Sequence, residues 1–188
     1  MKKVLCLLPI LSFSAVGAEY SIGLSDMGGE INTMAVTFGA RISFGSGLGL
    51  DTVANLTNQS DKSRSGLIEK NTDYTHLNFL LMPSYRFEPF EKIDFIVRAG
   101  GAININNYDY RESIYNTSGN IVDVQNKQNK TETTFGFAYG AALQYHLVKE
   151  EDFNVSLGIS YDVTDFGEVD GIDFGSGTLF GGYVSVGF

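Results

Sequence analysis

Apolar and polar residues alternate along most of this chain with the period of two that a β-strand requires. The pattern is clearest from Phe153 to Thr164, where odd positions are apolar or aromatic and even positions are polar or glycine. It recurs from Phe135 to Leu147 and, with Ile96 as an exception, from Ile93 to Asn106. Earlier segments show it with more interruptions. The pattern predicts eight strands, near residues 20–27, 33–44, 47–57, 74–87, 92–108, 131–147, 153–165 and 176–188.

Strand length is the first feature that places the apolar face outside the sheet, toward lipid. Several predicted strands are much longer than the usual five or six residues of a soluble sheet. A membrane strand needs about nine to eleven residues. The length therefore favours strands that cross a bilayer.

The face opposite the apolar one mixes small residues with charges of both signs. Glycine, serine and alanine alternate with arginine and acidic residues there, and lysine is scarce. Such a face suits a narrow lumen filled by its own side chains, where ion pairs satisfy one another. The predicted lumen charges are Arg41, Asp51, Arg86, Asp94, Arg98, Glu132 and Asp162.

Aromatic residues gather toward the ends of the predicted strands, which is the arrangement of the two aromatic girdles of a membrane barrel. One predicted girdle includes Tyr85, Phe95 and Phe188, and the other includes Phe137 and Tyr161. The connections also alternate in length. Short turns are predicted at 45–46, 88–91 and 148–152, and the others are loops at 28–32, 58–73, 109–130 and 166–175.

These observations predict an all-β fold, an eight-stranded antiparallel up-and-down transmembrane β-barrel. An even strand number with short turns on one side places both termini in the periplasm and the longer loops outside the cell. An eight-stranded barrel is about wide enough to be filled by side chains, so a plugged lumen is expected rather than a pore.

The first eighteen residues have the pattern of a secretory signal. Lys2 and Lys3 precede an apolar run from Val4 to Phe13, and small residues follow at Val16 and Ala18. The sequence therefore predicts a signal peptide at 1–18 and an outer-membrane barrel at 19–188. The one cysteine, Cys6, lies in the predicted signal, so the mature chain would contain no disulfide and no cysteine metal site.

The charge balance excludes one class of partner. The formal net charge is −9, and removal of residues 1–18 takes away two lysines and no acidic residue. Nucleic acid requires a basic patch, so we expect no nucleic-acid partner. The acidic pair Asp170 and Asp173 lacks the spacing of an EF-hand, and the sequence predicts no metal site and no cofactor.

The two longest predicted outer loops, together with Tyr108 directly before the second of them, carry the candidate binding residues. Aromatic and basic side chains are favourable contact groups, and basic ones also pair with the phosphates of lipid headgroups. A protein ligand and the anionic lipid surface both remain open as partners of these loops. The candidate residues are Lys62, Arg64, Lys70, Tyr108, Tyr110, Arg111 and Tyr115.

A lipid-modifying enzyme is the remote alternative, because some small barrels act on lipopolysaccharide. Such chemistry needs a nucleophile, usually serine, with a histidine as base. His146 lies at the predicted periplasmic end of its strand, and His76 faces the lumen with asparagine, not serine, two residues away. We therefore expect no catalytic residue.

Several segments resemble the Ail/Lom/OmpX family of outer-membrane proteins. They are 83–87 (PSYRF), the Gly100-Gly101 pair, 157–161 (LGISY) and the ending 181–188 (GGYVSVGF). The ending resembles the signal read by the barrel-assembly machinery, with Phe188 as its terminal residue. The OmpA-type membrane domain and vibrio accessory colonisation factors look similar at this level.

The resemblance implies a non-catalytic surface protein of the bacterial outer membrane that acts in adhesion, host colonisation or serum resistance. Expected partners are outer-membrane lipids and lipopolysaccharide, the assembly machinery and a host surface or matrix protein, and the expected state is a monomer. The family's binding loops vary, so no binding residue is carried over. A structural or stress-related barrel without a protein ligand remains the alternative.

Overall fold

The computed structural model describes residues 17–29, 33–150, 152–166 and 177–188. The predicted signal therefore lies outside the described residues except for its last two positions, and so do Asp170 and Asp173. Eight strands make up nearly all of the described chain: β1 (Ala18–Gly29), β2 (Thr33–Gly45), β3 (Leu48–Ser65), β4 (Ile68–Phe90), β5 (Ile93–Tyr115), β6 (Ile121–Lys149), β7 (Asn154–Asp165) and β8 (Gly177–Gly187). Among these residues, no helix is long and apolar enough to cross a membrane.

The strands form a closed antiparallel barrel in sequence order. Each strand pairs with its neighbours in the chain, and β1 closes the ring against β8, with Ser21 opposite both Gly39 and Ser185. At the closure, Ala18 and Phe188 exchange two backbone hydrogen bonds of 3.0 and 2.9 Å. The predicted fold, with its eight strands and its up-and-down order, is confirmed.

A tight turn joins β2 to β3. Ser46 and Gly47 adopt φ angles of 52° and 80°, a left-handed conformation that matches the twist of a two-residue hairpin. A second two-residue turn, Glu91–Lys92, joins β4 to β5. The end of the barrel that carries these turns is called the turn end below.

The side chains alternate between the two surfaces as predicted. In β7, Leu157 is 46% exposed while its neighbour Ser156 is fully buried. The exposed side chains are aliphatic and aromatic around the whole ring, and the buried ones are mostly polar or small. This arrangement reverses that of a soluble protein, because lipid is the solvent of the outer surface.

The lumen also contains an apolar layer that the sequence analysis did not predict. Leu80 and Met82 are fully buried, and they pack with side chains from five other strands and from the segment after β7. The other members of this layer are Met27, Val53, Ala102, Ala138, Phe166 and Leu179. Polar side chains fill the lumen on both sides of it, so the interior is layered.

The prediction of long loops at 58–73 and 109–130 was wrong. Both segments are mostly β-hairpins, with a two-residue turn at Gly66–Leu67 and a tip at 116–120. Residues 58–65 pair with 68–75 in unbroken register. Backbone hydrogen bonds make these ladders regardless of side chain. Polar residues on both faces gave no hydrophobic contrast from which the period could be read.

Candidate functional site

Most of the predicted lumen charges meet between the apolar layer and the turn end. Arg98 on β5 donates to both carboxylate oxygens of Asp162 on β7, at 2.8 and 2.6 Å, and lies 3.4 Å from Asp51 on β3. Asp51 also faces Arg41 at 3.7 Å and accepts a hydrogen bond from Ser84 at 2.8 Å. The network links opposite walls of the barrel through buried ion pairs.

A glycine makes room for the shortest of these pairs, Arg98 with Asp162. Gly140 stands in register between Arg98 and Asp162, so the arginine side chain crosses β6 at a position without a side chain. A Cβ atom at Gly140 would overlap the Asp162 carboxylate and the Tyr161 carbonyl. The small residues of the lumen thus set which charges reach one another.

Replacing Gly140 with valine is expected to destabilise the barrel by about 1–3 kcal/mol, the usual cost of overpacking an interior. Urea unfolding in detergent measures this change in stability. Far-UV circular dichroism is the signal, because the chain has no tryptophan for fluorescence. Gly101→Val is the matched control, since Gly101 is exposed and a Cβ there meets nothing within 4 Å. Equal destabilisation by both variants would contradict the role given to Gly140.

A second cluster lies nearer the turn end and contains residues absent from the predicted set. Glu19 pairs with Arg86 and accepts a 2.6 Å hydrogen bond from Gln144. Arg86 also lies 3.3 Å from Asp94. Glu19 was not predicted as a lumen residue because the alternation in β1 is short and the predicted strand began one residue later, at position 20. Glu132 joins neither cluster, because it lies in the part of β6 farther from the turn end, where it pairs with Lys130.

His146 joins this cluster in an arrangement of catalytic residue types. Its Nδ1 is 2.8 Å from Ser156 Oγ, and its Nε2 is 2.9 Å from Asp94 Oδ2. A serine, histidine and carboxylate in a row are the elements of an activated nucleophile. A nucleophile must also reach its substrate, and all three residues are at most 2% exposed. The row therefore serves here as a buried link between β5, β6 and β7.

Strands β3 to β6 rise beyond the rest of the ring on the side away from the turn end. Among the described residues, β2 pairs with β3 only as far as Leu56, and β7 pairs with β6 only as far as Phe137. Beyond these levels the four strands pair only with one another. We call this four-stranded sheet, residues 57–76 and 106–132, the extension.

Side chains on the lumen side of the extension form four rows across the sheet, which we call the inner face. Strand register sets the rows, because paired residues point to the same side. From the barrel outward the rows are Thr57, His76, Asn106 and Glu132; then Gln59, Tyr74, Tyr108 and Lys130; then Asp61, Thr72, Tyr110 and Gln128; then Ser63, Lys70, Glu112 and Gln125.

The aromatic rings of the inner face form a continuous group. Tyr74 stacks on His76 with ring centroids 6.0 Å apart and lies 5.3 Å from Tyr108. Tyr108 and Tyr110 are 6.3 Å apart and nearly parallel, at 5°. At the base, His76 Nδ1 hydrogen-bonds Asn106 Oδ1, and both side chains are buried.

The predicted binding residues divide between the two faces of the extension. Tyr108, Tyr110 and Lys70 lie on the inner face. The other four, Lys62, Arg64, Arg111 and Tyr115, lie on the outer face by strand alternation. There, Arg64 covers the Tyr115 ring at 4.8 Å, and Arg111 reaches the amide of Asn71 at 3.0 Å. The sequence grouped these residues as one set because all of them except Tyr108 lie in segments for which no strand was predicted.

Glu112 ties three strands of the extension together. It accepts hydrogen bonds from Tyr110 on β5 and from Asn126 on β6, the latter at 2.6 Å, and lies 3.4 Å from Lys70 on β4. The bond to Glu112 raises the pKa of Tyr110 to about 12. The same contacts lower the pKa of Glu112 below its ordinary value of 4.5.

The Tyr110–Glu112 contact is expected to be intact from about pH 4.5 to pH 10. A raised tyrosine pKa means that its stabilising effect is present below pH 10.0 and is lost as the pH rises toward about 12. A lowered Glu112 pKa means that its effect is lost as the pH falls below 4.5. In a ¹³C-tyrosine NMR titration, Glu112→Gln should return the pKa of Tyr110 toward 10, and Glu69→Gln should not. An unchanged Tyr110 pKa in Glu112→Gln would contradict the assignment.

The ring of eight strands, its apolar outer surface and its filled polar interior define the class of the protein. It is a small transmembrane β-barrel of the outer-membrane type, with one wall extended into a sheet beyond the membrane band. The candidate site is the extension, and within it the inner face.

Comparisons with solved structures return barrels of the same class. The chain is similar to Ail of Yersinia pestis in complex with the heparin analogue sucrose octasulfate (16% identity, TM-score 0.42, covering 92% of this chain and 96% of that one). It is also similar to Ail of Yersinia pestis in a phospholipid nanodisc (14% identity, TM-score 0.47, covering 93% of this chain and 100% of that one). A third similar structure is the N-terminal barrel of Pseudomonas aeruginosa OprF (11% identity, TM-score 0.43, covering 92% of this chain and 96% of that one). No family model and no curated protein matches. We therefore take the function from this chain's own residues.

Proposed function

We propose that this protein is a non-catalytic surface barrel that binds a ligand outside the cell through its extension and so acts in adhesion. One observation carries the proposal: four strands continue past the ring and present aromatic, amide and charged side chains in ordered rows. Rigid aromatic anchors among polar groups are favourable for recognition. A barrel needed only to span the membrane has no use for a sheet that stands beyond it.

The proposed orientation places the extension outside the cell and both termini in the periplasm. The two-residue turns at Ser46–Gly47 and Glu91–Lys92 lie on the opposite side from the extension. Short periplasmic turns and longer outer segments are the rule for outer-membrane barrels. Phe188, beside Phe153 with ring centroids 5.7 Å apart, would then stand at the periplasmic rim as the assembly signal.

The outer face of the extension suits a second partner, the anionic headgroup region of lipopolysaccharide. Lys62, Arg64 and Arg111 project from that face, and cationic side chains pair with phosphate. This division assigns lipid contact to the outer face and ligand contact to the inner face. A monomer is sufficient for both.

Shortening both hairpins tests the proposal. Deleting 61–72 and 110–128, with an Asn-Gly turn in place of each, joins residues that already pair, Ser60 with Asp73 and Asp109 with Asn129. We expect the variant to keep its closed barrel, seen as heat-modifiable gel mobility, and its cells to lose adhesion to cultured host cells. The triple variant K62A/R64A/R111A keeps the inner face and should still adhere.

Unchanged adhesion after the double deletion would contradict the proposal. Loss of envelope integrity in the deletion strain, with normal adhesion, would instead support a structural role. Mass analysis of lipid A with and without the gene checks the enzymatic alternative, and we expect identical species because Ser156 is enclosed.

A further inference from the structure

We infer that the inner face of the extension is a carbohydrate-binding site for glycans without net charge. The inference rests on the proposed function and names the ligand class. The accessible apolar surface of the four rows comes from Tyr74, Tyr108 and Tyr110, because His76 is buried and the sixteen positions include no aliphatic residue. Hydroxyl and amide side chains occupy most of the others.

This combination matches the two surfaces of a sugar ring. A pyranose has a flat C–H face, which packs on an aromatic face, and a rim of hydroxyl groups that donate and accept hydrogen bonds. Tyrosine supplies the first contact at low entropic cost. Asparagine and glutamine supply the second, since each amide both donates and accepts. The tyrosines are only partly buried, so their rings remain available.

The rings are arranged along a path rather than in a single pocket. Tyr74 and Tyr108 are side by side across two strands, and Tyr110 continues the group two positions farther along β5. A ligand with repeating rings would contact them in succession. An oligosaccharide has that form, whereas one compact small molecule would use only one end of the path.

The charges of the inner face argue against an acidic glycan. Lys70 is paired with Glu112, Lys130 is paired with Glu132, and Asp61 adds a further carboxylate. A sulfated or phosphorylated polymer requires an excess of cations on the binding surface, as any polyanion does. The inner face has more carboxylates than cations, so uncharged sugars are the better fit.

Two polar atoms beside Tyr74 lack a hydrogen-bond partner among the described residues. Asn106 Nδ2 is a buried donor in the first row, and Gln59 Oε1 is a buried acceptor in the second. Asn106 is 3% exposed, so its side chain is held in place. A buried polar group without a partner is costly. Both atoms are enclosed, so the inference rests on the partly exposed tyrosine rings and on the amide and hydroxyl groups around them.

The test uses the full-length protein in detergent on a glycan array that carries neutral and acidic oligosaccharides of host type. The oligosaccharide released from the producing strain's own lipopolysaccharide is printed beside them. We expect binding to neutral oligosaccharides. Preference for the host set or for the strain's own sugar identifies the source, and either supports the inference. Binding that requires sulfate or phosphate groups would overturn it.

Variants locate the site. Tyr108→Ala should weaken binding by roughly tenfold, as removal of one stacking contact does, whereas Tyr108→Phe keeps the ring and should stay within about twofold. The control T75A/N107A changes an exposed pair on the opposite face of the same strands. Equal loss in the control and in Tyr108→Ala would overturn the assignment, and heat-modifiable mobility verifies that each variant folds.

Cell adhesion separates this inference from the proposed function. If the extension binds host glycans, enzymatic removal of those glycans should abolish adhesion as completely as the double deletion does. If adhesion needs the extension but survives glycan removal, and the array shows no binding to a neutral sugar, the ligand is a protein. The proposed function then stands and the carbohydrate inference is wrong.

Discussion

Replacing Arg98 with methionine is expected to lower the free energy of unfolding of the barrel by about 3–5 kcal/mol. Arg98 faces two buried carboxylates, Asp162 and Asp51, which are 2% and 4% exposed. Removing the cation while keeping both acids leaves buried charge without compensation. Urea unfolding in detergent, followed by far-UV circular dichroism, gives the change.

The triple variant R98M/D51N/D162N is the matched control for Arg98→Met. It removes the three charges together, so most of the lost stability should return. The comparison separates the cost of an unpaired charge from the loss of packing around the arginine stem. A change within about 0.5 kcal/mol in Arg98→Met would mean that the ion pairs are not maintained in the folded barrel.

Replacing Ile159 with arginine is expected to cost about 2–4 kcal/mol, the depth-dependent penalty for a cation at the bilayer midplane. Ile159 is 51% exposed and lies near the middle of β7, between the outward residues Leu143 and Gly182. Folding titrations in phosphatidylcholine vesicles measure the penalty in the relevant solvent.

Leu147→Arg is the depth control for Ile159→Arg. Leu147 is also exposed, at 52%, but lies near the end of β6. Its penalty should fall to about 0–1 kcal/mol. Equal penalties at the two positions would contradict the assignment of the outer surface to lipid.

The sequence predicted the part of the fold where side chains on the two faces differ. In β7 the lipid-facing residues are apolar and the lumen-facing ones are polar, so number, order and orientation of the strands could be read directly. Arg41, Asp51, Arg86, Asp94, Arg98 and Asp162 could be assigned to the lumen for the same reason. The partner of each could not, because partners come from other strands whose relative register depends on closure of the ring.

The extension could not be predicted because it lies beyond the membrane band, where the outer face does not need apolar residues. Residues such as Thr72 and Asn71 are both polar, yet they point to opposite sides of β4. The candidate site was therefore recognised by residue type but not by geometry. Tyr108 and Arg111 were grouped by closeness in sequence, although the alternation of β5 places them on different faces. His146 was placed at the periplasmic end of its strand, but its contacts with Ser156 and Asp94 could not be predicted, because they depend on the pairing of β6 with β5 and β7.

The layered interior connects the stability of the barrel to the placement of the site. Buried ion pairs occupy the turn end, the apolar layer around Leu80 and Met82 follows, and the polar level of His76 and Asn106 leads into the inner face. The rows of the extension continue the register of this filled barrel without a break in β4 and β5 from His76 to Ile68. A rigid interior of this kind holds a recognition surface in fixed geometry, which reduces the entropy lost on binding.

Labelling of single cysteines in intact cells tests the central claim most directly, namely that the barrel spans the outer membrane with the extension outside. The only native cysteine is Cys6, which lies in the predicted signal, and the mature chain that this prediction implies contains no cysteine. A cysteine at Val122, beside the hairpin tip, should react with a membrane-impermeant maleimide on whole cells, and one at Glu91 in the opposite turn should react only after the outer membrane is permeabilised. Labelling of Glu91→Cys but not Val122→Cys on intact cells would contradict the account.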